Sequence, residues 1–195
     1  MTERTTQRGG LHDDATRLLT AWEPPDAVQG RLRSDFLRHL ASRADAMSRS
    51  CVPAHLTTGL LIMSADHRRV LLTLHRRVRL WLQTGGHCEP DDATVAGAAL
   101  REGREESGID GLRIDAVPVR LARHPAPCRP DGQTAHLDVQ FVAVAPPEAV
   151  ARPSSESLDL AWFDVTELPA DTDDQVGELV RAGQARCVAG SSASA

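Results

Sequence analysis

The stretch GGHCEPDDATVAGAALREGREESGI, residues 85–109, decides how the rest of the chain is read. Its first half is a glycine turn followed by a short acidic loop containing Pro90. Its second half predicts a helix that begins after Asp92 or at Thr94 and stops at Gly108, where glycine supplies a left-handed C-terminal residue. On that helix Glu102, Glu105 and Glu106 stand at spacings of three and four, so their carboxylates share one face. Like charges so placed repel by roughly a few tenths of a kcal/mol per pair. Such a face is either left solvated or gathered around a cation. Carboxylate and carbonyl oxygens suit hard ions such as Mg²⁺ or Mn²⁺, and those ions suit substrate phosphates.

The same run resembles the Nudix box, G-x5-E-x7-R-E-U-x-E-E-x-G-U, with U a bulky apolar residue. Gly86 matches the opening glycine, and Arg101, Glu102, Glu105, Glu106, Gly108 and Ile109 match the second half in register. Glu89 and Pro90 look like the loop that follows the paired glycines in that family. Three departures stand out. Asp92 occupies the place of the first glutamate, the segment from Asp92 to Arg101 is one residue longer than the pattern, and Gly103 replaces the bulky apolar residue that anchors the helix to the sheet. Glycine inside a helix costs roughly 1 kcal/mol relative to alanine, so Gly103 is expected to loosen the helix and to give up a core contact. A second match follows at a suitable distance. Ser154 to Pro169 resembles the late Nudix segment, in which an acidic loop precedes a strand that ends in an aromatic pair and an ELP turn.

Composition bounds the remaining possibilities. A chain of 195 residues with 41% hydrophobic content can bury a core, and its formal net charge of −5 argues against non-specific DNA binding, which needs a basic footprint. All 22 basic residues are arginine, a side chain suited to bidentate phosphate contacts. Cys51, Cys88, Cys128 and Cys187 are widely spaced and form no C-x-x-C motif, so reduced thiols are the expectation. No apolar run is long enough to cross a bilayer, and the N-terminus has no signal-peptide core, which together predict a cytoplasmic protein without membrane association.

Read in order, residues 1–11 are expected to be a flexible tail and 12–50 a helical extension. Ala15, Leu18, Leu19 and Trp22 fall at helical spacing before Pro24 and Pro25; Asp26 then predicts an N-cap for a second helix with Val28, Leu32, Phe36, Leu37 and Leu40 on its apolar stripe. That helix reads as packing on the main domain, with a substrate lid or a homodimer contact as the sharper alternatives. Leu56 to Met63 and Val70 to Leu74 predict a hairpin, and Leu112 to Leu121 a strand with an irregularity at Pro118. The segment from His124 to Gly132 reads as a loop, and His136 to Val144 as a strand with His136, Asp138 and Gln140 on one face, either lining a pocket or forming a wet edge. A last helix is expected from about Thr172 to Ala185, and 188–195 as a disordered tail.

The resemblance covers residues 54–185 and implies an α/β/α sandwich with a mixed β-sheet, to which the N-terminal helices are an addition. It also implies a Mg²⁺-dependent hydrolase, with Mn²⁺ as an alternative ion. The reaction would be attack of activated water on a diphosphate bond in a nucleoside diphosphate linked to another group, or in a related diphosphate. Glu102, Glu105, Glu106 and the Gly86 carbonyl would hold the ion, and Arg101 with Asp92 would form a structural ion pair. The general base would be Glu105, Glu106 or the late-loop Glu156. Arg76 and Arg79 lie in the basic connector near the family's substrate entrance, and with His87, His136 and Asp138 they are candidate substrate contacts. A zinc site built from His87, Cys88, His124 and Cys128 is the weaker reading, because adjacent ligands rarely face one ion. The alternative function is a nucleotide or diphosphate sensor that has lost catalysis.

Overall fold

The computed structural model describes residues 10–126, 134–155 and 157–192. Two helices lead. α1 spans Leu11–Ala21 and α2 spans Ala27–Ser42. Asp26 caps α2 by accepting from the Gln29 N–H at 2.8 Å. The helices also close each other's free carbonyls: Arg33 donates to Leu19 O and Thr20 O, both at 2.8 Å, while His12 Nε2 lies 3.1 Å from Leu40 O. Terminal carbonyls of a helix have no intrahelical partner, so each helix depends on the other for its end.

The sheet has eight strands: β1 Ala54–Met63, β2 Arg69–His75, β3 Trp81–Leu82, β4 Thr84–His87, β5 Arg113–Ile114, β6 Arg120–Ala126, β7 Thr134–Val144 and β8 Ser157–Asp164. Its spine is the parallel pairing of β1 with β7 from Ala54↔Ala135 to Met63↔Val144. At one end β1 pairs with β2 through Ile62 and Met63, and at the other it pairs with β4 through Thr57 to Leu60. β7 changes partner in the same way, from β5 at Ala143 and Val144 to β6 over Thr134 to Gln140. The sheet therefore forks, and the mouth of the fork holds the polar ends of β1, β4, β6 and β7.

α3, Val95–Ser107, and α4, Asp174–Ser192, cover opposite faces. Leu56, Leu60, Leu137, Val139 and Phe141 point toward α1, α2 and α3 in one hydrophobic cluster. Leu61, Met63, Val142 and residues of β2 point the other way and meet Val176, Leu179 and Val180 of α4. With both faces covered, all ten β1 positions are buried. The architecture is the expected mixed α/β sandwich, with the N-terminal helices added to the α3 face.

Several expectations change in detail. Leu112 to Leu121 is not one strand: β5 and β6 are separate, and both pair with β7. His124 belongs to β6, whereas the expected loop from Pro127 onward falls outside the described residues. Val28 is exposed, and Gln29 is buried in its place. The Gln29 amide accepts from Leu121 N at 2.7 Å and donates to Leu121 O at 3.1 Å on the outer edge of β6. Leu11 is already helical, and α4 continues through Val188 to Ser192, within the stretch expected to be a disordered tail.

Candidate active site

The box helix α3 starts and ends on side-chain chemistry legible in its sequence. Thr94 caps it by accepting from Gly97 N at 3.0 Å, and Gly108, with φ 64°, ends it in the left-handed region. A second cap comes from outside: the Asp14 carboxylate of α1 accepts from Val95 N at 2.9 Å. The N-terminal extension thus fixes the start of the helix that carries the glutamates.

Gly103 turns out to be a packing device. A Cβ at this position would stand 2.4 Å from Leu60 Cδ2. The bulk that the helix lacks is supplied by β1, whose Leu60 fills the space above Gly103. The expected loss of a core contact does not occur, because the contact has changed sides.

Gly86 works similarly for the carboxylates. A Cβ there would meet the Glu102 carboxyl group at 2.6–2.7 Å, so only glycine lets Glu102 lie against β4. Glu106 Oε2 accepts from Gly85 N at 3.4 Å. Glu102 and Glu106 therefore converge on the Gly85–Gly86 backbone, while Glu105 faces outward with its side chain 59% exposed, against 16% for Glu102. Thr58, the register partner of Gly86, has a buried hydroxyl with no hydrogen bond among the described residues. A glycine-floored cradle, two converging carboxylates and a spare buried hydroxyl form an oxygen-rich donor set, which fits a hard divalent ion.

Arg101 ties this region together. It donates to both Asp92 oxygens, at 3.1 and 2.9 Å, and to His87 O at 3.0 Å, with further bonds to Glu102 at 3.0 Å and Glu105 at 3.1 Å. Burial alone would raise the Asp92 carboxyl. The Arg101 guanidinium and the Glu89 N–H more than offset it and hold Asp92 below the usual carboxylate range. Asp92, in place of the family glutamate, still clamps the acidic loop onto the helix.

The opposite face of the same strands carries a polar row. His55, Thr57 and Gly59 of β1 share their side with His87 of β4 and with His136, Asp138 and Gln140 of β7, as the registers Thr57↔His87, His55↔His136 and Thr57↔Asp138 require. Asp138 is buried and accepts from Thr57 Oγ1 at 3.0 Å and Gln140 Nε2 at 2.9 Å. A Cβ at Gly59 would lie 2.8 Å from Asp138 Oδ2, so that glycine lets the carboxyl lie across β1. Burial raises the Asp138 carboxyl above its ordinary value, against those two bonds and nearby His124. The rings of His55, His87 and His136 sit 4.9–5.1 Å apart. Burial lowers all three, with His87 at about 4 and His136 at about 3, so the rings are neutral at ordinary pH.

The residues expected at the site do not all gather. Glu102, Glu106, Gly86, Arg101 and Asp92 do, with Glu105 at the rim, and His87, His136 and Asp138 meet on the other face. Arg76 and Arg79 lie in the β2–β3 turn, where Arg76 donates to Ser157 O at 3.3 Å, on β8 rather than at the box. Glu156 lies outside the described residues, as does Cys128. Burial, with Asp92 nearby, pushes the Cys88 thiol up to about 12. Sequence reasoning missed His55 and Thr57. The signal was there, since 55, 57 and 59 repeat the period-two pattern of 136, 138 and 140.

A NUDIX domain model matches residues 53–182. Among solved structures, a C. elegans Ap4A hydrolase binary complex superposes with a TM-score of 0.59 at 19% identity, covering 69% of this chain and 98% of that one. The E. coli dihydroneopterin triphosphate pyrophosphohydrolase gives 0.56 at 22% identity, over 67% and 95% of the two chains. A NUDIX-family hydrolase from Clostridium perfringens gives 0.53 at 22%, over 69% and 97%. No curated protein matches the chain by sequence. At these identities the structures speak for the fold alone, whereas the domain model spans most of the chain, and by that match the protein belongs to the NUDIX family.

Proposed function

We propose that this protein hydrolyses the diphosphate bond of a nucleoside diphosphate linked to another moiety, or of a related diphosphate, in a reaction that depends on Mg²⁺ or Mn²⁺. The observation that carries the reading is the convergence of Glu102 and Glu106 on the glycine backbone of β4. These carboxylates, with the Gly86 carbonyl and Glu105, would hold the ion. Bound there, a hard divalent ion supplies charge neutralisation on the diphosphate and lowers the pKa of water.

The chain's own residues account for the rest. Arg101 holds the acidic loop and the helix in one geometry, so the carboxylates do not have to reorganise during turnover. Glu105 is reachable from solvent and is suited to accept a proton from the attacking water, as is Glu106; Glu156 is the late-loop candidate for the same task. His87, His136 and Asp138 lie on the other face of β4 and β7 from the carboxylates, so as substrate contacts they would meet a part of the substrate that extends around β4 and not the reacting diphosphate. Arg76 and Arg79 offer charge to a phosphate from the exposed turn. The setting we infer is cytoplasmic, with a small-molecule substrate and no DNA; among the described residues no helix is long and apolar enough to cross a membrane.

The test is a panel of nucleotide sugars, dinucleotides and nucleoside triphosphates, incubated with and without Mg²⁺ or Mn²⁺, with release of phosphate or nucleotide followed. Metal-dependent turnover that falls by at least about 100-fold in Glu106→Gln supports the assignment, since even outer partners of a metal ligand are worth 10–100-fold. Silence across the panel, with thermal stabilisation by the same ligands intact, would replace it with the sensor reading.

A further inference from the structure

The rings of His55, His87 and His136 belong to three neighbouring strands, and their nitrogens converge. One ring nitrogen from each can be chosen so that all lie within 4.8 Å of one another, and His55 Nε2 and His87 Nε2 are 3.1 Å apart. Nitrogen donors on a common ion at about 2.0–2.1 Å stand roughly 3.4 Å from each other in tetrahedral geometry, so His55 and His87 already stand near that spacing, and His136 has to close in by up to about 1.4 Å. The sheet enforces the convergence, since His55 and His136 are register partners and His87 pairs with Thr57, one strand period along β1.

The tautomer of the most buried ring is set as well. His55 Nδ1 lies 3.3 Å from Cys51 O. A carbonyl can only accept, so Nδ1 carries the hydrogen and the Nε2 lone pair faces His87 Nε2. A backbone carbonyl on the far nitrogen is the usual outer partner of a metal-bound histidine. Strand alternation separates this cluster from the carboxylates: Gly86 faces Glu102, while the next residue, His87, faces His55 and His136.

We propose that His55, His87 and His136 form a second metal site, distinct from the box glutamates, for a borderline divalent transition-metal ion of the Zn²⁺ class. Three imidazoles with no carboxylate among them select such an ion over Mg²⁺. Three protein ligands leave a coordination position for water or for a phosphate oxygen. The site does not rest on the hydrolase assignment, and the two can fail separately.

The experiment is calorimetric titration of chelator-treated protein with Zn²⁺ in excess Mg²⁺, for the wild type, His87→Gln, His136→Gln and Glu106→Gln. A single Zn²⁺ should bind to the wild type and to Glu106→Gln alike, and affinity should drop at least about tenfold in each histidine variant. Equal Zn²⁺ affinity in the histidine variants, displacement by Mg²⁺, or loss of binding in Glu106→Gln would overturn the site. Co²⁺ added to the wild type gives a check that needs no variant. Intense visible bands of four-coordinate Co²⁺, with paramagnetically shifted histidine ring signals, support the site, and their absence refutes it.

Discussion

β1 shows its two sides to two different chemistries. Leu56, Leu60 and Ile62 face α1, α2 and α3 and are sealed in hydrocarbon. At the same end of the strand, His55, Thr57 and Gly59 face a row of histidines and a buried carboxyl. The first face is specified by volume: a leucine on the strand answers a glycine on the helix. The second is specified by hydrogen bonds, where each polar atom fixes the next. Faces of the first kind tolerate a swap of bulk between partners. Faces of the second kind lose function or stability when one donor goes.

That contrast can be broken most severely at Leu60. Leu60→Ala removes the side chain that covers Gly103, and urea denaturation should show a loss of about 2–5 kcal/mol. Gly103→Leu, the residue type the box pattern calls for, should destabilise by about 1–3 kcal/mol through overpacking. Combining it with Leu60→Ala should recover part of that loss, giving a positive coupling in a double-mutant cycle. On the polar face, Thr57→Val keeps the shape but leaves Asp138 short of a donor; the same denaturation assay should show about 1 kcal/mol lost, near the net worth of one hydrogen bond.

A further effect is read by pH. In chelator-treated protein the folded rings of His87 and His136 stay neutral down to about 4 and about 3, while unfolded histidine takes up a proton near 6.5. The unfolded state therefore binds more protons below that point, so stability is fully present above about 6.5 and declines as pH falls toward about 4. Thermal denaturation across this window should show a shallower slope in His136→Gln than in the wild type. An unchanged slope would mean that these rings do not set it.

Much of this was legible in the residues. The caps Thr94, Gly108 and Asp26 are local chemistry, and the alternation at 136, 138 and 140 is local too, so the helix ends and the polar face of β7 follow from sequence. Gly103 was misleading because its meaning lies 43 positions away in Leu60, and no pattern within a helix records what its neighbour brings. The apolar stripe of α2 likewise pointed to Val28, while the neighbouring strand edge called for an amide and received Gln29. His55 escaped because the strand reads as apolar from Leu56 onward, and its partners come from strands remote in sequence.

The pair of bonds from Gln29 to Leu121 has a practical consequence. They occupy the outward-facing backbone of a strand with no other neighbour on that side among the described residues. A strand edge left open is a template for pairing with another chain. Trimming the molecule to residues 53–182 would therefore uncover that edge, and the trimmed protein is expected to pair edge to edge more readily than the full chain.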